Sequence, residues 1–420
     1  MNTRVLALLG LGVAGTTVAW GQARPTPAVT ESVTVVADST FGRGRFGRWL
    51  LGDHYRDLWA TPLRVEVLDL GRYAGGLTPL VKGGGNQTVS LHLKGTDGRE
   101  YVFRLLRKNP EPIVRRLRAQ LVAGVIRDGM SAMHPGGTVV VPAILEAAGV
   151  LHPTPVLRYL PDDARLGAFR AEFGNQLGTI EERPTAETDD TARFAGARRI
   201  EDTPGMIEAL RRHPGVRVDA PAYLTVRLVD LYVGDWDRHE GQWGWALFGE
   251  GHKAKWEPIP RDRDQAFARF DGVLGGLARF FVPELLNFTE DYPSPYAATM
   301  NGRSLDRRIL TGLAWPVWDS IARALQARLT DQVIGGAVDR LPREYEATNG
   351  TILRRTLQVR RDKLHQMAQR YFEFLAEQAR VFGGGHRVRG EALFRGCESE
   401  LDGGRGRSVC PSDRFGLILT

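Results

Sequence analysis

The sequence predicts an α+β fold in which a β-rich half precedes an α-helical half. Two runs of alternating apolar residues, Thr88–Lys94 and Glu100–Leu106, flank a turn at Gly95–Gly98 and predict a β-hairpin. Apolar residues at helical spacing then recur through most of residues 303–383, ending in a long amphipathic stretch from Ile352 to Phe382.

The composition is that of an ordinary globular protein of two or three core-sized units, with 42% hydrophobic and 25% charged residues among 420. The formal net charge is +7, and only six of the 56 basic residues are lysines. The arginines are spread along the chain and interleaved with acidic residues, which favours solvated surfaces over a nucleic-acid interface. We therefore expect no nucleic-acid partner.

The N-terminus has the pattern of a secretory signal peptide. A short basic start ending at Arg4 is followed by an apolar stretch from Val5 to Ala19, and small residues stand at Gly21 and Ala23. We expect residues 1–23 to be removed and the protein to be exported to the periplasm or cell envelope, with a retained anchor helix as the alternative. In an oxidising compartment, Cys397 and Cys410 could pair.

The remaining patterns set the domain boundaries. Residues 24–59 are interpreted as a linker to residue 44 and a helix at Phe46–Trp59, residues 60–184 as the β-rich half, residues 185–385 as the helical half, and residues 386–420 as a poorly ordered tail. Within these boundaries we predict helices at Ile113–Met133, Met206–Arg212 and Ala220–Val233, and strands at Thr138–Ile144, Val156–Tyr159, Gly178–Pro184 and Trp256–Pro260.

The first chemical motif is Asp237-Arg238-His239-Glu240-Gly241-Gln242, which follows the predicted helix Ala220–Val233 and should form a loop at its end. Phosphoryl transfer requires a carboxylate that accepts the proton of the attacking hydroxyl, and a neutral oxygen ligand nearby for magnesium. Asp237 and Gln242 are five residues apart, which is the spacing of these two groups in a protein-kinase catalytic loop.

The second motif is Asp262-Arg263-Asp264, which follows the strand-like run WEPIP about 25 residues after the first motif. A carboxylate at the end of a short strand is where phosphoryl transferases hold magnesium against the phosphates. The alternative for each motif is structural: Asp235 and Asp237 could cap a helix, and Asp262 and Asp264 could pair with neighbouring arginines.

These motifs resemble known kinases. DRHEGQ is similar to the D-R-H-x-x-N loop of phosphatidylinositol-kinase-like and secretory-pathway kinases, and PIPRDRDQAF resembles the metal segment of the spore-coat kinase CotH and its relatives. The resemblance implies a bilobal protein-kinase-like fold that binds ATP and Mg²⁺ or Mn²⁺. It makes Asp237 the catalytic base, with Arg238 and His239 in the same catalytic loop, and assigns metal binding to Gln242 and Asp262, with Asp264 as the competing choice. Gln242 stands where these families carry asparagine.

The β-rich half supplies candidates for the nucleotide site. A kinase N-lobe needs a glycine-rich turn near the phosphates and a cation on a following strand. The turn is Gly83-Gly84-Gly85, and the cation is Arg104, where these families place lysine, or Lys82 as a substitute. Asp128 in the predicted helix Ile113–Met133 is the candidate partner of Arg104.

A longer resemblance covers residues 45–385. The runs WLLGDHYRDLWATP, GGLTPLVKGGGNQTVSLHL and VGDWDRHEGQW look like a segment of uncharacterised bacterial envelope proteins, where it lies between a metallophosphoesterase and an outer-membrane barrel. The resemblance implies a possible association with the outer membrane or envelope.

The predicted function is therefore magnesium-dependent transfer of the ATP γ-phosphoryl group to a hydroxyl on an unknown protein or small molecule. One rival is a catalytically weak pseudokinase or nucleotide-binding module, which the Gln242 and Arg104 substitutions favour. The other is a metal-dependent hydrolase that uses the four aspartates and His239. A five-stranded sheet packed with the helix Ile113–Met133 would favour the kinase-like fold over the hydrolase.

Overall fold

A computed structural model describes residues 31–84, 88–109, 120–185, 193–280 and 282–377. The predicted signal peptide, Gly85, both cysteines and the predicted tail lie outside these residues. Within them, no helix combines the length and apolar content needed to cross a bilayer.

The β-rich half is built on a five-stranded antiparallel sheet of order β3-β4-β5-β7-β6. Its strands are β3 (Leu77–Gly83), β4 (Ser90–Gly95), β5 (Glu100–Leu105), β6 (Val156–Leu160) and β7 (Gln176–Glu182). The predicted hairpin is confirmed, with Leu93 opposite Tyr101 and Leu91 opposite Phe103, all on one buried face. Val102 on the other face is also buried, and it contributes to the lining of the cleft.

The N-terminal segment differs from the prediction. Strand β1 (Ser32–Val36) lies in the region that the sequence predicts to be a linker, and it pairs with β2 (Pro62–Glu66). The predicted helix Phe46–Trp59 is two helices, α1 (Arg45–Leu51) and α2 (Arg56–Ala60). The break lies at Gly52, whose φ of +103° and close approach to the carbonyl of Asp271, 2.5 Å from an added Cβ, both require glycine.

Among the described residues, helices α3 (Gln120–Gly129), α4 (Gly137–Ala148) and α5 (Arg170–Phe173) are inserted between the strands of the sheet. The first agrees with the predicted helix as far as that helix lies in the described residues. The second contradicts the strand predicted at Thr138–Ile144. Its valines and Ile144 are buried almost all round, and a short apolar run of this kind cannot be assigned by periodicity alone.

The second half is helical, as predicted, and carries a small sheet. Its helices are α6 (Thr203–Arg212), α7 (Ala220–Val233), α8 (Gly272–Ala278), α9 (Pro295–Ala298), α10 (Arg303–Leu310), α11 (Trp315–Arg328), α12 (Asp331–Val338), α13 (Arg343–Tyr345) and α14 (Thr351–Ala376). Four strands, of order β8-β10-β11-β9, form the sheet: β8 (Arg199–Glu201), β9 (Arg217–Val218), β10 (Trp243–Phe248) and β11 (Lys255–Pro260). Only β11 is predicted from the sequence.

The described residues form an α+β arrangement of two lobes, which is consistent with the predicted bilobal protein-kinase-like fold. The five-stranded sheet with its inserted helices forms the N-lobe, and helices α6–α14 form the C-lobe. The two motifs of the sequence lie at the ends of α7 and β11, which places both beneath the five-stranded sheet.

Candidate active site

A cleft of about 480 Å³ lies between the five-stranded sheet and the helical lobe. Its lining includes Asp237, Gln242, Asp262 and Asp264 from the helical lobe, and Gly84 and residues of β4, β5 and β7 from the sheet. The two motifs, 25 residues apart in sequence, therefore share one cavity.

The catalytic-loop candidate begins where α7 ends. Gly234 takes the left-handed conformation, with φ of 72°, and its N–H closes the helix on the carbonyls of Asp230 and Leu231. Asp237 is half-buried and accepts a hydrogen bond from Asn301 Nδ2 at 3.1 Å. His239 also lines the cleft, and its Nδ1 accepts from the N–H of Gly241 at 3.1 Å, so the side chain caps the turn Glu240–Gln242.

Arg238 points into the protein and does not line the cleft. Its side chain is fully buried, and Nη1 donates to the carbonyls of Arg261 at 2.7 Å and Asp262 at 2.9 Å. Nη2 donates to the carbonyl of Gln242 at 3.0 Å. Arg238 was grouped with the catalytic residues from sequence, but its contacts make it a positioning residue that ties the catalytic loop to the metal segment.

The predicted metal residues all face the cleft. Gln242 and Asp262 lie on either side of the Arg238 guanidinium, and Arg261 N donates to the Gln242 carbonyl at 2.9 Å. Asp262 has a φ of +46°, an unfavourable conformation for a residue with a Cβ, which directs the chain sharply after β11. Asp264 lies two residues further along the same cavity wall.

A buried network of arginines and aspartates connects these two segments to helices α7 and α10. Arg227 bridges Asp306, at 2.8 Å, and Asp230, at 2.6 Å, while Arg263 contacts Asp230 and lies 3.4 Å from Asp235. Three arginines lower the pKa of Asp230 against the effect of burial. Burial dominates at Asp235 and raises the pKa of its carboxyl to about 6. Such networks fix loop geometry because each member has several defined partners.

Lys108, three residues after β5, is the site lysine that sequence reasoning missed. It lines the cleft, its side chain is 9% exposed, and it forms an ion pair with Asp264. Burial lowers the pKa of the Lys108 ammonium, while Asp262, Asp237 and Asp235 oppose that shift. Its signal in the sequence is rarity, since it is one of six lysines, but it follows the strand on which a kinase N-lobe places this cation.

The predicted pair between Arg104 and Asp128 is wrong. Arg104 forms an ion pair with Glu181 on the neighbouring strand β7, because the two residues face the cleft side by side. Asp128 is buried against Arg56, with a contact at 2.5 Å, and Arg43, at 2.9 Å. These arginines belong to the N-terminal segment, which the sequence predicts to be a linker and a single helix.

The glycine turn lies over the cleft as predicted, to the extent that the structure describes it. Gly84 lines the cavity with a φ of +124°, and an added Cβ would come within 2.0 Å of the Thr88 carbonyl. Gly83 ends β3, where a Cβ would meet His92 at 2.6 Å. Lys82 is not in the cleft: it is exposed and pairs with Glu172 at 2.6 Å on the surface.

Other cleft residues had no sequence signal. Arg183 lines the cavity, as does His92 on β4, and Asn301 contacts Asp237 from 64 residues away. Their positions follow from the packing of strands and loops that are distant in the sequence.

The oxygen donors of the cleft suit magnesium or manganese. Carboxylates of Asp262 and Asp264 and the amide oxygen of Gln242 are hard ligands, and Mg²⁺ usually takes one or two protein carboxylates together with substrate phosphates. In the described part of the chain, no three His, Cys, Asp or Glu side chains converge to hold a metal by themselves.

Comparison with known proteins gives no match by sequence and a distant likeness among solved structures. No family model and no curated protein matches the chain. Among solved structures, it is similar to the crystal structure of a Helicobacter pylori proinflammatory kinase, CtkA, with 12% sequence identity and a TM-score of 0.38. The match covers 71% of this chain and 95% of that one.

Proposed function

We propose that this protein is a metal-dependent phosphotransferase that moves the γ-phosphoryl group of ATP to a hydroxyl acceptor. The observation that carries the proposal is the convergence of Asp237, Gln242, Asp262, Asp264 and Lys108 on one cleft beneath a glycine turn. A general base, oxygen donors for a metal and a buried cation are the parts that phosphoryl transfer requires.

Asp237 would accept the proton of the acceptor hydroxyl as the oxygen attacks the γ-phosphorus and the bond to the β–γ bridging oxygen breaks. Asn301 holds one carboxylate oxygen, which leaves the other for this proton. Lys108 and Arg104 would neutralise phosphate charge in a partly desolvated cleft, where each contact is stronger than in water.

Gln242, Asp262 and Asp264 would hold Mg²⁺ or Mn²⁺, which would neutralise the charge of the triphosphate when bound. Gln242 provides the same carbonyl oxygen as asparagine on a longer side chain. Arginine replaces the expected lysine at position 104, and Lys108 provides an ammonium group in the same cleft.

The test uses the full chain with γ-labelled ATP and MgCl₂, with water and the protein itself as acceptors. Released phosphate and self-labelling are measured for the wild type, Asp237→Asn and the exposed control Asp339→Asn. Loss of a general base lowers rates by about a hundredfold or more, so Asp237→Asn should lose that activity while keeping its ATP affinity.

The rival functions predict different results. A nucleotide-binding pseudokinase would bind ATP, yet wild type and Asp237→Asn would show the same background of label. A metal-dependent hydrolase would cleave phosphate esters that carry no nucleotide. Either result would rule out the proposed transfer.

A further inference from the structure

The sheet side of the cleft carries a cluster of guanidinium groups that the proposed transfer does not use fully. Arg104 on β5, Arg183 after β7 and Arg261 after β11 line the same cavity. They come from three separate strands, so their proximity is a property of the folded lobe interface and not of a local basic run.

The three arginines differ in their partners. Arg104 has Glu181, and Arg183 has Glu100 at 2.5 Å. For Arg261, no hydrogen bond or ion pair of the guanidinium occurs within the described residues, and its Nε is buried without a partner. Arg261 is half-buried, and a buried N–H donor such as its Nε is costly to leave without an acceptor.

The guanidinium of Arg261 packs against the backbone of Gly244. An added Cβ at Gly244 would lie 2.8 Å from Nη2 and 2.9 Å from Nε, so the guanidinium rests against the glycine backbone. Arg261 is charged at neutral pH, because a guanidinium does not lose its proton in proteins. Arg104 and Arg183 are already paired with glutamates, so Arg261 is the guanidinium of the three that has donors available for an added anion.

We propose that Arg261 and Arg183 bind a phosphate group at the sheet side of the cleft, in addition to the metal-bound group at Asp262 and Asp264. Guanidinium groups bind phosphate oxygens through two parallel N–H donors, which an unpartnered Arg261 has available. The inference rests on the proposed function for the source of the group, which is either the polyphosphate of the donor or a phosphorylated acceptor.

The test is calorimetric titration of inorganic pyrophosphate into the full chain without metal. The wild type should bind, and Arg261→Gln should bind about tenfold more weakly or worse, because a charge-assisted contact is lost. Arg212→Gln, which removes an exposed arginine paired with Glu208, should bind like the wild type. The melting temperature of Arg261→Gln should equal or exceed that of the wild type, since the substitution removes repulsion and no partner.

Two further ligands separate the sources. If Arg261→Gln weakens ATP as much as pyrophosphate, the donor's polyphosphate occupies the site; if ATP affinity is unchanged, the phosphate belongs to the acceptor. Both results support the proposal.

It is overturned if the wild type does not bind pyrophosphate, if Arg261→Gln binds it equally well, or if only adenosine binding falls, which would make Arg261 a stacking residue for a base. Pyrophosphate binding that depends on Arg261 in a protein without transfer activity would refute the proposed function alone.

Discussion

At the scale of single residues, Lys108 has the clearest functional contacts in the cleft. It is the lysine that lines the described part of the cavity, it pairs with Asp264, and the fields of Asp262 and Asp237 act on its ammonium. Removing it would leave three carboxylates facing the triphosphate with less neutralising charge.

We expect Lys108→Met to lower kcat/KM for ATP by about a hundredfold, the usual loss when one charged transition-state contact is removed. Lys82→Met is the matched control, because Lys82 is an exposed lysine that pairs with Glu172 on the surface. Its kcat/KM should stay within about twofold of the wild type, since exposed pairs contribute little. Equal losses in both variants would show that Lys108 has no special part in the site.

At the scale of elements, the buried arginine–aspartate network fixes the loop after α7 to the segment after β11. Arg238 donates to carbonyls of both segments, and Asp230 and Asp235 share Arg238 and Arg263. Most of this network cannot be predicted from the sequence, which suggests only that Asp235 caps a helix and that neighbouring arginines such as Arg263 pair with Asp262 and Asp264. Arg263 joins Asp230 and Asp235 from about 30 residues away, whereas Arg238 is a local partner of Asp235.

Asp235 gives the network a measurable pH dependence. Its folded pKa, about 6, lies above its ordinary value of 3.8, so the folded state binds more protons between these values. The stability contributed by Asp235 therefore falls as pH rises from about 4 to 6. Asn cannot ionise, so Asp235→Asn should gain stability relative to the wild type over this window, by an amount on the order of 3 kcal/mol.

Urea unfolding of both proteins at several pH values measures this difference. The difference should be flat above about pH 6, because the carboxyl is then ionised in both the folded and the unfolded state. A difference that stays constant from pH 4 to 7 would mean that the two arginines keep Asp235 ionised throughout.

The N-terminal segment makes a second buried pair, between Arg56 of α2 and Asp128 of α3, with 1% and 4% exposure. Asp128→Asn should destabilise the fold by about 3 kcal/mol, because it leaves a buried guanidinium without its counter-charge. Neither residue lines the cleft, so kcat per folded molecule should not change. Asp57→Asn, on an exposed pair with Arg48, is the control for chemical denaturation. A loss of kcat without a loss of stability would restore Asp128 to the nucleotide site.

The elements that sequence predicts well are those with a long, one-sided pattern, such as the β4–β5 hairpin and helix α14. Helix α4 was predicted as a strand because its apolar residues face protein on nearly every side. Strand β1 was missed because the pairing that stabilises it is with β2, about 30 residues away.

At the scale of the whole molecule, the bilobal α+β arrangement could be predicted because its halves have different periodicities. The chemistry of the helical-lobe wall could also be predicted, since Asp237, Gln242, Asp262 and Asp264 lie in two short motifs. The opposite wall could not: Lys108, Arg183 and Glu181 meet these motifs only when the sheet packs over the helical lobe.

The central claim is that this interlobe cleft binds a metal–nucleotide complex, and ATP affinity with and without Mg²⁺ tests it most directly. Titration calorimetry on the full chain should show ATP binding in MgCl₂. In EDTA the affinity should be at least about tenfold lower, because the cleft carboxylates then repel the triphosphate. Asp262→Asn should lose most of this metal dependence, whereas Asp362→Asn, an exposed residue of α14, should keep it. The absence of ATP binding, or an affinity indifferent to both Mg²⁺ and Asp262, would contradict the account.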